Sequence, residues 1–163
     1  MNPTRDFLNT TMLAFQKLGH DMPLFQFVLE HGRTFRAQPL PSGFRRGVPK
    51  ECFNNALNLV IDDAGNERGL VYCEGYAFRP GLIPVHHGWC CDMEGNVIDN
   101  TWDDSEQCHY LGIPFNMRFI CEMTLKLEHA GVLDCHDDDW RLERGKYPVA
   151  EWQHPLALML PAN

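Results

Sequence analysis

The chain has 163 residues, a formal net charge of −8 and a pI near 5.4, with 44% hydrophobic and 22% charged residues. That length suits a single domain, residues 1–163, built on one core, and the acidic balance argues against a nucleic-acid partner, which needs a basic face to displace counterions. No run approaches the roughly 20 apolar residues that span a bilayer, and the start Met1-Asn2-Pro3-Thr4-Arg5-Asp6 lacks the apolar core of a signal peptide. A soluble cytoplasmic protein with no membrane partner is expected.

In chain order, Phe7, Leu8, Met12, Phe15 and Leu18 form a helical stripe over residues 4–19 that stops at Gly19. Asp21 and Pro23 open a second helix carrying Leu24, Phe25, Val28 and Leu29, with Gly32 as its stop. Residues 33–48, rich in Arg, Pro and Gly, read as a long irregular connection of the kind that lines sites; Arg33, Arg36, Arg45 and Arg46 are taken as its solvated charges. A third helix is predicted from Pro49 to about Val60, with Phe53, Ala56, Leu57 and Val60 facing the core. A turn cluster at Asp62-Asp63-Ala64-Gly65-Asn66 follows, and then the period changes from helix to strand.

Leu70 to Phe78, Ile83 to Met93 and Val97 to Trp102 read as three strands, the last two forming a hairpin across Glu94-Gly95-Asn96. Leu111 to Phe115 is an extended segment, Asn116 caps a helix reaching Ala130, and Gly131 closes it. Residues 134–163 are the least legible, and Trp140, Tyr147 and Trp152 there are expected to cap the core. The fold class is α+β: N-terminal helices, then a helix packed on a small antiparallel β-sheet, then more helix.

Seven cysteines stand at 52, 73, 90, 91, 108, 121 and 135. Their odd number and the missing signal peptide argue against a disulfide framework, and most are expected simply to pack, as free cysteines do. Cys52 differs. In Pro49-Lys50-Glu51-Cys52-Phe53-Asn54-Asn55 it falls in the first turn of a helix, where unpaired backbone N–H groups and the helix dipole favour an anion. It also lies beside the core stripe rather than within it.

Two further segments supply partners. In Pro84-Val85-His86-His87-Gly88-Trp89 the two histidines alternate across a strand, so only one can face the site. His87 is chosen because Trp89 shares its face and walls the imidazole from water, while His86 is expected to bond a neighbouring strand. Gly88 permits a close approach by another backbone or by substrate. In Val97-Ile98-Asp99-Asn100-Thr101, a carboxylate in a buried strand needs a partner. Bonded to His87, Asp99 would fix the ring tautomer. A simple hairpin sets Asp99 opposite Cys90, three positions from His87, with Asn100 and Asp103 as fallbacks.

A cysteine opening a helix, then His87-Gly88-Trp89 and Asp99-Asn100-Thr101 on successive strands, resembles the transglutaminase-like branch of the papain-like cysteine hydrolases. The likeness covers residues 49–102. The wider segment, with Glu74-Gly75-Tyr76-Ala77 and Tyr110-Leu111-Gly112-Ile113-Pro114, also resembles uncharacterised small phage and bacterial proteins. The resemblance implies a papain/transglutaminase-like core and a Cys52-His87-Asp99 triad acting on a protein or peptide-like amide by hydrolysis, deamidation or acyl transfer, with no cofactor. The candidates for oxyanion or substrate contacts are Gln38, Asn55 and Trp89, with Asn54 beside them, and the Cys52 backbone N–H is the preferred donor. Two other readings compete. One is a non-enzymatic phage or bacterial protein that occupies a host partner. The other is a zinc site among His86, His87, Cys90, Cys91, Cys108 and His109, which the opposed faces of the adjacent pairs disfavour, so no metal is expected.

Overall fold

The computed structural model describes residues 3–63, 65 and 67–161. Ala64 and Asn66 of the expected turn cluster lie outside the described residues. The chain opens with α1 (Pro3–Lys17) and α2 (Pro23–His31). α1 buries only Thr4 and Leu8, so its expected stripe is narrower than the sequence suggests: Phe15 and Leu18 are exposed. Pro23 starts α2 where its missing N–H costs nothing, and the chain turns extended at Gly32.

The connection expected at 33–48 is not wholly irregular. Its first residues form β1 (Arg33–Phe35), which pairs antiparallel with β5 (His109–Pro114) through Arg33 opposite Gly112. The partner lies far along the chain, so no local alternation marks this short strand. After it come α3 (Cys52–Asp62), β2 (Val71–Phe78), β3 (Val85–Cys91) and β4 (Val97–Ile98), with α4 (Met117–Leu127) and the short α5 (Val149–Trp152) after β5. The strand expected through Trp102 thus stops at Ile98. Helix α4 ends before the expected Gly131, because Glu128 takes a left-handed φ of 60°.

The sheet order is β1-β5-β2-β3-β4, and every neighbouring pair is antiparallel. The sheet curls. Just beyond β1, the Arg36 N–H donates to the Gly95 carbonyl, and the Val97 N–H donates to the Arg36 carbonyl, both at 2.9 Å. The two outermost strands are therefore bridged, and alternate side chains fall inside or outside the curl. Outside, Tyr72, Cys90, Ile98, Leu111 and Ile113 pack with Ala56, Leu57 and Val60 of α3 and with Phe119 and Ile120 of α4. Inside, Phe35, Val71, Cys73, Trp89, Cys91, Val97 and Tyr110 form a second apolar cluster.

A helix on the outside must still meet a side chain from the inside. Two features allow it. β4 covers only Cys90 and Cys91 of β3, so the Val85–Trp89 stretch has no strand beside it on that edge. Gly88 then lets the start of α3 lie directly on β3: a Cβ at Gly88 would stand 3.2 Å from the Phe53 Cα and 3.4 Å from its amide nitrogen. The close backbone approach expected at Gly88 is made by α3 itself.

Candidate active site

Cys52 is the first residue of α3 and is buried, with 9% of its surface exposed. Lys50, at a left-handed φ of 69°, turns the chain into the helix. The Asn55 N–H donates to the Glu51 carbonyl at 2.8 Å, so the N–H groups of Cys52, Phe53 and Asn54 precede the first intrahelical bond. Unpaired N–H groups at a helix start favour a nearby negative charge.

His87 comes from β3 on the inner face and is 2% exposed. Its Nε2 lies 2.8 Å from Asp99 Oδ2. Cys52 lies close enough to the same imidazole to favour its charged form, and Nδ1 is the ring nitrogen that Asp99 does not engage. Burial is the largest influence on the His87 charge and disfavours it. The Asp99 hydrogen bond and the nearby Cys52 thiol, then the charges of both groups, outweigh burial and push the His87 pKa up to about 9. Asp99 behaves in the converse way: burial would raise its pKa, but the His87 hydrogen bond and charge, with bonds from Thr101 and Tyr110, hold it below its usual range.

The hairpin register differs from the expected one by a single residue. Asp92 pairs with Asn96 through Asp92 N–H to Asn96 O at 3.1 Å, and Gly95 at φ 80° completes a three-residue loop, 93–95. Cys91 then faces Val97 and Cys90 faces Ile98, so one further step sets Asp99 opposite Trp89, two positions from His87 rather than three. In a strand a one-residue slip changes the face. The observed register puts Asp99 on the His87 face, whereas pairing with Cys90 would have turned it away.

Around the pair the packing is aromatic. Trp102 stacks on His87 with ring centroids 4.3 Å apart, and Trp89 is parallel but farther, at 6.2 Å. The wall expected from Trp89 is therefore shared, with the nearer part made by Trp102. The Trp102 carbonyl accepts from Arg46, and the Arg79 guanidinium lies over its ring at 5.5 Å. Behind Asp99, the Tyr110 hydroxyl donates to Oδ2 at 2.9 Å, while the Thr101 and Trp102 N–H groups donate to Oδ1 at 2.8 and 3.2 Å.

The fallback residues have other partners. The Asn100 carbonyl accepts from Gly47 N–H, its side chain donates to the Arg45 carbonyl, and Asp103 pairs at the surface with Arg46. The amide candidates for an oxyanion donor are also engaged elsewhere. Asn55 Oδ1 accepts from Val48 N–H, and its Nδ2 donates to the Val48 carbonyl and Thr101 Oγ1. Gln38 donates to the Val97 carbonyl at 2.9 Å, and Asn54 to Glu51. These side chains fasten the 45–49 and 99–102 loops and the β4 edge, so the donors left are the backbone N–H groups at the start of α3, that of Cys52 among them, and the buried Trp89 Nε1, which has no hydrogen-bond partner.

His86 points to the outer face and meets Glu74 on neighbouring β2, Nε2 to Oε1 at 2.9 Å. All seven cysteines are free thiols. Cys90 and Cys91 do face opposite ways: Cys90 donates to the Ala56 carbonyl of α3, whereas Cys91 lies 3.4 Å from Cys73 inside the curl. Among the described residues no three His, Cys, Asp or Glu side chains converge as a metal site, and no helix is long and apolar enough to cross a membrane.

Beside the site, a groove of about 500 Å³ runs between the 45–49 loop and α3, lined by Arg45, Pro49, Asn55, Leu59, Asp62 and Asn100 among others. Asn55, Leu59 and Asp62 fall on one side of the helix, and Cys52 heads the same row at helical spacing. Sequence reasoning missed Trp102 and Tyr110. Trp102 was visible next to the Asp-x-Thr motif as an aromatic within reach, but Tyr110 reaches Asp99 only through the sheet order. In comparisons with protein-family models, curated proteins and solved structures, the chain matches none.

Proposed function

We propose that this protein is a cysteine-dependent acyl-group enzyme acting on a protein or peptide-like amide, with Cys52 as nucleophile, His87 as acid and base, and Asp99 orienting the imidazole. The observation that carries the reading is the buried His87–Asp99 pair, bonded at 2.8 Å through Nε2, with Cys52 at the start of α3 near enough to raise the pKa of the same ring. In the proposed reaction His87 Nδ1 takes the Cys52 proton and the sulfur attacks the amide carbon. The oxyanion is met by the Cys52 N–H, and His87 returns the proton to the leaving amine. Water or another amine then attacks the thioester, gives its proton to His87, and releases Cys52. This chemistry needs no cofactor. The cysteine-helix, His-x-Trp and Asp-x-Thr order resembles transglutaminase-like enzymes and adds weight to the reading.

Iodoacetamide labelling followed by mass spectrometry tests it. Cys121 is the half-buried cysteine and provides the internal reference, since the other six are buried. Cys52 is expected to label at least about ten-fold faster than Cys121 at pH 6–7, because a thiolate paired with an imidazolium reacts where an ordinary thiol is mostly protonated. Cys52→Ala is expected to remove the fast phase and leave the fold intact. Equal rates at Cys52 and Cys121 would refute the assignment. The closeness of the packing over Cys52 favours a second reading, a binding protein in which the three residues only pack. That reading wins if Cys52, His87 and Asp99 can each be replaced without changing any effect of the protein in cells.

A further inference from the structure

Asp99 accepts four hydrogen bonds, and two of them compete. Thr101 and Trp102 N–H groups share Oδ1, while His87 Nε2 at 2.8 Å and the Tyr110 hydroxyl at 2.9 Å share Oδ2. Tyr110 is fully buried on β5, on the strand two places across the sheet from β3, and its ring packs against Trp89 at 5.1 Å. We propose that Tyr110 is a positioning residue for the thiol chemistry: by donating to the oxygen that holds His87, it limits how strongly Asp99 retains the imidazole proton. The role rests on the function proposed above, but the interaction it invokes is measurable without any activity.

The physical reason is the direction of the hydroxyl dipole. Its hydrogen points at Oδ2 and so places positive charge on the side of the carboxylate that faces the imidazolium. Through a buried site of low dielectric, that charge lowers the affinity of His87 for its proton. His87 has to accept a proton from Cys52 and then give it to the leaving amine. A carboxylate bound only by backbone donors at Oδ1 would hold the imidazolium more tightly and slow the second transfer.

Other charged or titratable groups around the pair are few. Cys52 approaches it from α3, while Cys90 on β3 points to the outer face and feels Asp99 only through its charge. Cys108, from the segment before β5, neighbours Tyr110 and has Asp104 and Arg79 beside it; burial first, then Asp104, pushes its thiol up to about 11. Burial, then the Asp99 charge, raises the Tyr110 hydroxyl far above its ordinary value, so it stays protonated and keeps donating.

The test is the NMR titration of His87 in the full chain labelled with nitrogen-15 histidine. The wild-type midpoint is expected near 9. Tyr110→Phe removes only the hydroxyl and is expected to raise the midpoint by on the order of one pH unit. Tyr72→Phe removes the matching bond to Glu74 on the outer face and is expected to leave it unchanged. Site-specific 3-fluorotyrosine at position 110 is a stronger donor and is expected to lower the midpoint; it decides the matter if the phenylalanine variant does not fold. An unchanged or lowered midpoint in folded Tyr110→Phe, or an unchanged one with fluorotyrosine, overturns the proposal. Cys52 labelling is a separate readout: a shifted midpoint with Cys52 no faster than Cys121 would retire the thiol chemistry while leaving the Tyr110 effect standing.

Discussion

Asp99→Ala is expected to destabilise the protein by about 3–5 kcal/mol, the range for removing one partner of a buried ion pair. The side chain is 1% exposed, and its loss strands the imidazolium, the Tyr110 hydroxyl and two backbone N–H groups. Asp99→Asn keeps the shape but not the bonding. With its amide nitrogen toward His87 and Tyr110, the donors face one another; with the nitrogen turned away, it meets the Thr101 and Trp102 N–H groups. In the first orientation His87 shifts its proton to Nδ1 and can no longer accept one from Cys52. The rate of the proposed reaction is expected to fall on the order of 10²–10⁴-fold.

The same pair gives stability a pH dependence with a definite sign. His87 has its folded pKa raised from its ordinary value of 6.5 to about 9. Its contribution is complete below about 6.5 and is lost as pH rises through about 9. Asp99 has its folded pKa lowered, so its contribution is present above its ordinary value near 3.8 and is lost as pH falls through the lower folded value. Urea midpoints measured from pH 6 to 9.5 are expected to decline in the wild type and to lose most of that decline in Asp99→Ala. A wild-type midpoint that is flat over this window would contradict the assignment.

The second large effect is expected at Glu74, on the opposite face of the sheet. It is wholly buried in β2 and accepts from Tyr72 Oη at 3.1 Å, Val132 N–H at 2.8 Å and Leu133 N–H at 2.9 Å, besides meeting His86. These bonds join the sheet to the segment after α4. Glu74→Ala orphans two buried backbone donors and a buried hydroxyl, each costing roughly 1–3 kcal/mol, so a total loss of at least about 3 kcal/mol is expected by chemical denaturation. Amide hydrogen exchange is expected to accelerate first at Val132 and Leu133. If exchange there is unchanged while the rest of the core loosens, Glu74 does not hold that segment.

Much of the site was legible in local patterns, and the rest depended on long-range pairing. A helix start is a local property, so Cys52 stood out among seven cysteines. Strand alternation separated His87 from His86, and a charge in an apolar strand marked Asp99. The same argument applied to Glu74, which lies between Cys73 and Gly75, would have flagged a second buried carboxylate. What local patterns lacked was the loop length. One residue fewer or more in the β3–β4 turn moves Asp99 to the other face, and only the bonds of Asp92, Gly95 and Asn96 fix it. β1 was hidden because its partner β5 is remote in sequence. Gln38 and Asn55 were chosen as amides able to donate to an oxyanion, but an amide that fastens a loop has the same local appearance.

The measurement closest to the central claim is the pH dependence of Cys52 alkylation, resolved from Cys121 by mass spectrometry, in the wild type and in His87→Ala. If His87 shares a proton with Cys52, the wild-type rate changes little between pH 6 and 8. In His87→Ala it falls roughly ten-fold for each unit the pH drops below the ordinary thiol range near 8.5, leaving it about 300-fold below its high-pH limit at pH 6. Superimposable profiles in the two folded proteins would contradict the account, because the imidazole beside Cys52 would then have no hold on the thiol proton.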